Sequence, residues 1–153
     1  MKCAKDIVAI KAIAENEYLK EQRALDEQCK QAYASVITKT IRFCEEVVDK
    51  MLTDKAENRR RLEITFDVSK PSRDRLGHNL IGYIRPDGKY ANGDPAYAYS
   101  SDWYYLDLNV MCDYLKKHCY SVSVKEGEVR IYGRGLCDCL SIEVSVPKNL
   151  PCN

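Results

Sequence analysis

From Cys29 onward the apolar positions fall at Cys29, Ala32/Tyr33, Val36/Ile37, Ile41, Cys44, Val47/Val48 and Met51/Leu52. Three-and-four spacing held for so long predicts an amphipathic helix, and the doubled positions widen its apolar stripe, as for a helix lying on a sheet. Upstream, Ile7, Ile10, Ala14, Tyr18 and Leu25 keep the same phase in a thinner stripe, and the stretch 20–28 is almost wholly polar. The pattern predicts one helix from about Lys5 to Lys55, or two helices with a break within 16–30. Fifty helical residues span about 75 Å, whereas a 100-residue body has a radius of gyration near 13 Å. A continuous helix must therefore overhang its own domain. Its first half would leave Ile7 and Ile10 wet unless another chain covers them, which predicts a homodimer through the N-terminal helix.

Beyond residue 58 the period drops to two. Leu62, Ile64, Phe66 and Val68 alternate with Arg61, Glu63, Thr65 and Asp67, the pattern of a strand with one buried and one solvated face. A loop over 70–78 and a short strand from Leu80 to Arg85 follow. Pro86-Asp87-Gly88 and Asn92-Gly93-Asp94-Pro95 signal turns, and 97–106 reads as a strand or an aromatic loop. Asp107 or Asn109 can cap a helix running to about His118, with Lys116, Lys117 and His118 at the dipole's negative end. Alternation over 120–124, a turn at Glu126-Gly127 and alternation back at Val129 and Ile131 predict a hairpin. Gly133-Arg134-Gly135 turns once more into a last strand, Leu140 to Val146.

The order predicts an α+β fold: a long N-terminal helix (or two helices) followed by a mostly antiparallel sheet with one further helix. Residues 1–58 form the helical region for packing and oligomerisation, 59–147 the sheet with its helix, and 148–153 a loose tail, all within one structural domain. All five prolines and all seven glycines lie beyond residue 70, in keeping with a first part poor in turns.

Charge and composition narrow the classes. The 153 residues carry 24 basic against 23 acidic side chains, a net charge of +1, with 45% apolar residues. That supports a packed core and argues against a phosphate-tracking protein, which shows a basic excess. No apolar run approaches the roughly 18 residues of a membrane span. The start, Met1-Lys2-Cys3-Ala4-Lys5-Asp6, puts an acid where a signal peptide needs its apolar stretch, so a cytoplasmic setting without membrane contact is expected. The eight cysteines are then expected to be free thiols, several of them small core residues.

Two constellations could carry chemistry. Arg59, Arg60 and Arg61, with Lys70, Arg73 and Arg75 close behind, could hold phosphate or an acidic partner; the plainer reading is a helix end complemented by cations and a solvated loop. Tyrosine is abundant, eleven against two Phe and one Trp, and six of the eleven fall within 83–105 beside Trp103. Tyr97, Tyr99 and Trp103 are therefore candidate recognition residues, against the alternative that these rings pack on the core. His118, Cys119, Cys137 and Cys139 could converge on a zinc ion, but adjacent residues splay their side chains, and no metal is expected. The chain has no phosphate loop, dinucleotide fingerprint, zinc-protease helix or nucleophile elbow. No catalytic residue and no cofactor are assigned.

The expected function is a non-enzymatic binding or inhibitory protein. A small, neutral, tyrosine-rich chain without motifs is the type of product that phages and other mobile elements encode to block host machinery such as bacterial defence. It would occupy a protein partner or sequester a small phosphorylated ligand. The alternative is a nucleic-acid-binding protein using the Arg59–Arg75 stretch and the tyrosine-rich segment for phosphate and base stacking.

Overall fold

The computed structural model describes residues 1–54, 60–100 and 102–148, with the backbone alone at 69–72. Helix α1 spans Ala4–Phe43, passes without a break through one π-helical turn at Cys44–Asp49, and ends as the short α2, Lys50–Thr53. The single-helix expectation is met. Asp6 caps its start by accepting from the backbone N–H of Cys3 at 3.3 Å, and Asp54, with extended backbone, stops it.

Six strands follow: β1 (Arg61–Arg73), β2 (Asn79–Lys89), β3 (Pro95–Tyr99), β4 (Leu106–Asp107), β5 (Ser121–Ile131) and β6 (Gly135–Ser145), with α3 (Leu108–Lys117) between β4 and β5. The fold is α+β with a mixed sheet. All pairings are antiparallel except β3 with β5, where Ala96 lies opposite Arg130 and Tyr97 opposite Ile131. The sheet runs β1-β6-β5-β3-β2-β4, and β1 pairs with β2 as well. Five strands thus form a closed ring, with β4 added outside β2.

Ring closure explains the burial. Leu62, Ile64 and Phe66 face outward from β1 and join Ile142 and Val144 of β6 and Ile81 and Tyr83 of β2. Phe43, Cys44 and Val48 from the long helix and Met111 and Leu115 from α3 cover this face. Phe43 is fully buried, with its ring 5.1 to 6.0 Å from those of Tyr83, Trp103 and Phe66. The other face of the same strands points into the ring, around Ile84, Ile131 and Cys137. Thr65 and Asp67, read from the sequence as solvated, are buried there.

Three expectations are corrected. Glu126-Gly127 is no turn: β5 runs straight through it, with Gly127 opposite Cys139, so the hairpin turns only at Tyr132–Arg134. Strand β2 likewise continues past Pro86, taking up Gly88 (φ 78°) as an irregularity in its pairing with β3. Strand β1 reaches Arg73, into the expected loop, with a break in register between Asp67 and Ser72.

Asp107 is the cap of α3, accepting from the N–H groups of Asn109 at 2.9 Å and Val110 at 3.2 Å. The helix closes on Cys119 in left-handed conformation (φ 69°), with Tyr120 N–H bonded to the Leu115 carbonyl at 3.1 Å. This is the Schellman arrangement, with cysteine where glycine is usual. Six described cysteines are free thiols, but Cys119 is disulfide-bonded, which corrects the expectation of eight free thiols. The expected loose tail lies outside the described residues beyond Lys148.

Truncating Phe43 or Trp103 to Ala should each cost about 3–5 kcal/mol in urea unfolding, as for other core aromatics. Alkylation of denatured protein without reductant should leave Cys119 unmodified while labelling Cys44, Cys112, Cys137 and Cys139; a labelled Cys119 overturns the disulfide.

Candidate functional site

Four segments far apart in sequence meet at one pocket of about 310 Å³, lined by Asp67, Leu80, Ile81, Gly82, Tyr99, Tyr104, Tyr105 and Arg134. Each element delivers its residue for a local reason. Asp67 is the last residue of β1 before the register break. Tyr99 ends β3, Tyr104 and Tyr105 belong to the connection into β4, and Arg134 sits in the β5–β6 turn between Gly133 (φ 81°) and Gly135 (φ 77°).

A buried carboxylate organises the cluster. The Asp67 side chain is only 8% exposed; its Oδ2 accepts from the Tyr99 hydroxyl at 2.6 Å and from Arg134 Nη1 at 2.8 Å. Arg134 also donates to the Tyr99 oxygen. Tyr99 therefore gives its proton to Asp67 and accepts from Arg134, which requires it to be neutral. Burial pushes its hydroxyl up to about 12, helped by the bond to Asp67 and opposed by Arg134. Tyr104 stacks on Tyr99 with ring centres 5.6 Å apart, and burial followed by the Asp67 charge raises its hydroxyl too. Gly82 makes room for that ring: a Cβ there would stand 3.1 Å from Tyr104 Cδ1. Tyr105 holds a left-handed backbone (φ 58°) and an exposed side chain.

The expected contact residues are placed as follows. Arg59 lies outside the described residues. Arg60 is exposed, and its carbonyl accepts from Val146 N–H at 2.8 Å. Arg61 begins β1, pairing with Glu143 at 3.3 Å. Arg73 ends the same strand and donates to Asn79 at 2.9 Å. Thirteen residues of strand span about 40 Å at 3.3 Å per residue, so these arginines do not form one patch. Arg75 belongs instead to the anchorage of the long helix, donating to Asp26 at 2.6 Å and to Gln22. Tyr97 packs half-buried against the ring interior. Trp103, 9% exposed and edge-on to Phe43, is a core residue and offers no face to a partner. Of the aromatic candidates only Tyr99 enters the pocket.

Sequence reasoning missed Asp67 and Arg134, and reached Tyr104 and Tyr105 only as members of the tyrosine-rich segment 83–105. The available signal was Arg134 between two turn glycines, which fixes an arginine at a hairpin tip. A wider groove of about 550 Å³ lies elsewhere, along β5 and β6 at Glu126, Glu128, Asp138 and Val68. It holds three like charges and no aromatic ring, so the smaller pocket is the better candidate.

The four-residue metal possibility fails on geometry. Cys119 is committed to its disulfide, and His118 Nδ1 lies 2.8 Å from the Tyr114 carbonyl. Cys137 and Cys139 are buried with the ring strands. Among the described residues no group of three or more His, Cys, Asp or Glu is placed to hold a metal ion, and no helix is long and apolar enough to cross a membrane. No family model matches the chain, and no curated protein or solved structure matches it.

The raised tyrosines fix an alkaline prediction. Tyr33, whose hydroxyl donates to Asp107 at 2.6 Å, is also pushed up to about 12, by burial first and then by Asp107. A group whose folded pKa exceeds its unfolded value of about 10 stabilises fully below pH 10 and loses that contribution as pH rises toward 12. Ultraviolet titration should show at least two tyrosines ionising late, with urea stability falling over that window. Ionisation of all tyrosines near pH 10 in the folded protein would contradict the buried bonds.

Proposed function

We propose that the protein is a non-enzymatic binding protein that acts by occupancy, as a homodimer held through its N-terminal helix, and that its sheet domain sequesters a small phosphorylated ligand at the Asp67–Tyr99–Arg134 pocket. One observation carries the reading: an arginine from the β5–β6 turn and three tyrosines from the 99–105 segment line a single pocket. Arginine offers charge-assisted donors that match phosphate, and tyrosine rings offer faces for a planar group. The pocket volume is at the lower end of the roughly 300–1,000 Å³ of ligand sites, which favours a small ligand over a protein loop within the broader class of blocking proteins.

Occupancy rather than turnover is supported by the state of the reactive groups. Tyr99 is held protonated, and burial raises the thiols of Cys44, Cys112 and Cys139, away from the thiolate that reactive cysteines need. The nucleic-acid reading draws less support, because Arg61, Arg73 and Arg75 stand apart and form no continuous basic surface. A cytoplasmic setting fits the six free thiols, and the Cys119 disulfide argues the other way.

Titration calorimetry with inorganic phosphate and with nucleoside mono- and diphosphates tests the ligand. Tyr105→Asn keeps a residue tolerant of left-handed backbone and should leave the melting temperature within a few degrees. It should weaken nucleotide binding by about 1–3 kcal/mol if the ring stacks on the base, and Arg134→Lys should weaken every phosphorylated probe. Absence of binding heat for all probes at millimolar concentration would remove the phosphorylated-ligand reading.

A further inference from the structure

We infer that the open edge of β5 binds an extended basic segment of a partner protein as an added strand. This site is separate from the Asp67–Tyr99–Arg134 pocket and does not rest on it.

The ring takes in only the end of β5. Strand β3 pairs with it at Arg130 and Ile131 alone, whereas β6 accompanies it from Ser121 to Ile131. From Ser121 to Glu128, about 26 Å of strand, the second edge has no strand partner among the described residues. Seven of these eight residues are exposed, and only Val122 is partly buried. The ladder with β6 runs through them without a register shift. Their outward N–H and C=O groups therefore form a regular row that a further strand can complete.

Side chains decide what fits. Residues directly opposed in an antiparallel pair share a face. Val122 and Val124 lie opposite Val144 and Ile142, which belong to the core beneath the helices, yet Val124 is 49% exposed. Further along the same face, Glu126 lies opposite Leu140 and Glu128 opposite Asp138. Like charges directly opposed destabilise a sheet. None of these three carboxylates has an ion-pair partner among the described residues. Arg130, the next residue on that face, lies instead over the Tyr90 ring, 5.8 Å from its centre. The three carboxylates line the groove of about 550 Å³. The other face of β5 is polar, and its Lys125 is already bonded to Glu63 at 3.1 Å.

The carboxylates choose between occupants. A second copy of this edge would bring its own Glu126 and Glu128 to a surface that already lacks counter-charge, and charged side chains on an edge are a common guard against such self-pairing. A basic strand supplies the missing charge. The occupant is therefore an extended segment that sets two apolar residues opposite Val122 and Val124 and two basic residues opposite Glu126 and Glu128, at every second position.

Fluorescence anisotropy with the full chain at low ionic strength tests the site. The probes are the labelled peptide Thr-Arg-Thr-Arg-Thr-Val-Thr-Val-Thr, its reversed sequence, and a version with Glu in place of both Arg. One order of the basic peptide should bind saturably below about 1 mM, and the acidic version should not. The double variant Glu126→Gln, Glu128→Gln should weaken binding about three- to tenfold with unchanged thermal melting. An added strand bonds through every second residue, so N-methylating alternate peptide residues should abolish binding in one phase and spare it in the other. No saturable binding by either order overturns the site. Equal binding of the acidic peptide, or full binding by the glutamine variant, overturns the charge selection at this edge. Two N-methylated phases that behave alike overturn strand addition.

Discussion

Strand β1 is paired along both edges, and most of the molecule follows from that. It lies antiparallel to β6, with Ile64 opposite Ile142, and to β2, with Phe66 opposite Tyr83. Over Thr65–Asp67 the strand has a partner on each side, and the sheet it belongs to closes, so both faces need contents. The outward face takes the two helices. The inward face takes side chains that an open sheet would have given to water, Thr65 against Ser141 at 3.2 Å and, further along, Asp67. A carboxylate in that position is costly unless it is paired and hydrogen-bonded. Tyr99 and Arg134 answer that requirement, so the polar cluster at the pocket is tied to ring closure itself.

The helix meets the ring through few but well-satisfied contacts. Thr40, fully buried, accepts from the N–H of Asp107 at 3.1 Å while its own hydroxyl returns to the Val36 carbonyl at 2.8 Å. Tyr33 donates to the same Asp107 and stacks flat on His78 with ring centres 3.5 Å apart; His78 in turn contacts Asp74 at 2.7 Å. The residue that caps α3 thus also fastens the middle of α1. Lys39 adds a bond to the Tyr104 carbonyl at 2.6 Å, linking the helix to the loop that carries the pocket's aromatic rings.

Much of the architecture was legible because it is local. The three-and-four spacing from Cys29 to Leu52 places Cys44 and Val48 where they are buried, although it passed over the fully buried Phe43, and the strand period of Leu62, Ile64 and Phe66 identifies the outer face of β1. Asp107 as a cap follows from its neighbours alone. Closure did not show, because it depends on pairing Arg61 with Ser145, 84 residues apart, and an alternating strand reads the same whether its second face meets water or a ring interior. The pocket was hidden for the same reason: Asp67 counted as solvated and Arg134 as a turn residue. Trp103 was misplaced because an aromatic among tyrosines resembles a recognition surface, whereas its ring fills the space beside Phe43. Glycine at 127 was read as a turn, yet it lies in extended pairing opposite Cys139.

The gap between the Arg75 grip and the start of the helix has a mechanical meaning. From Gln22 back to Ala4 the arm is about 27 Å of preformed helix, with its capping bond at Cys3 already made. Such an arm behaves as a lever: a tilt of about 10° at the grip carries its tip roughly 5 Å sideways, given that length. Whatever meets the tip finds a helical surface that needs no folding on contact. A small adjustment at Arg75 and Asp26 is thereby magnified at a distance from the sheet.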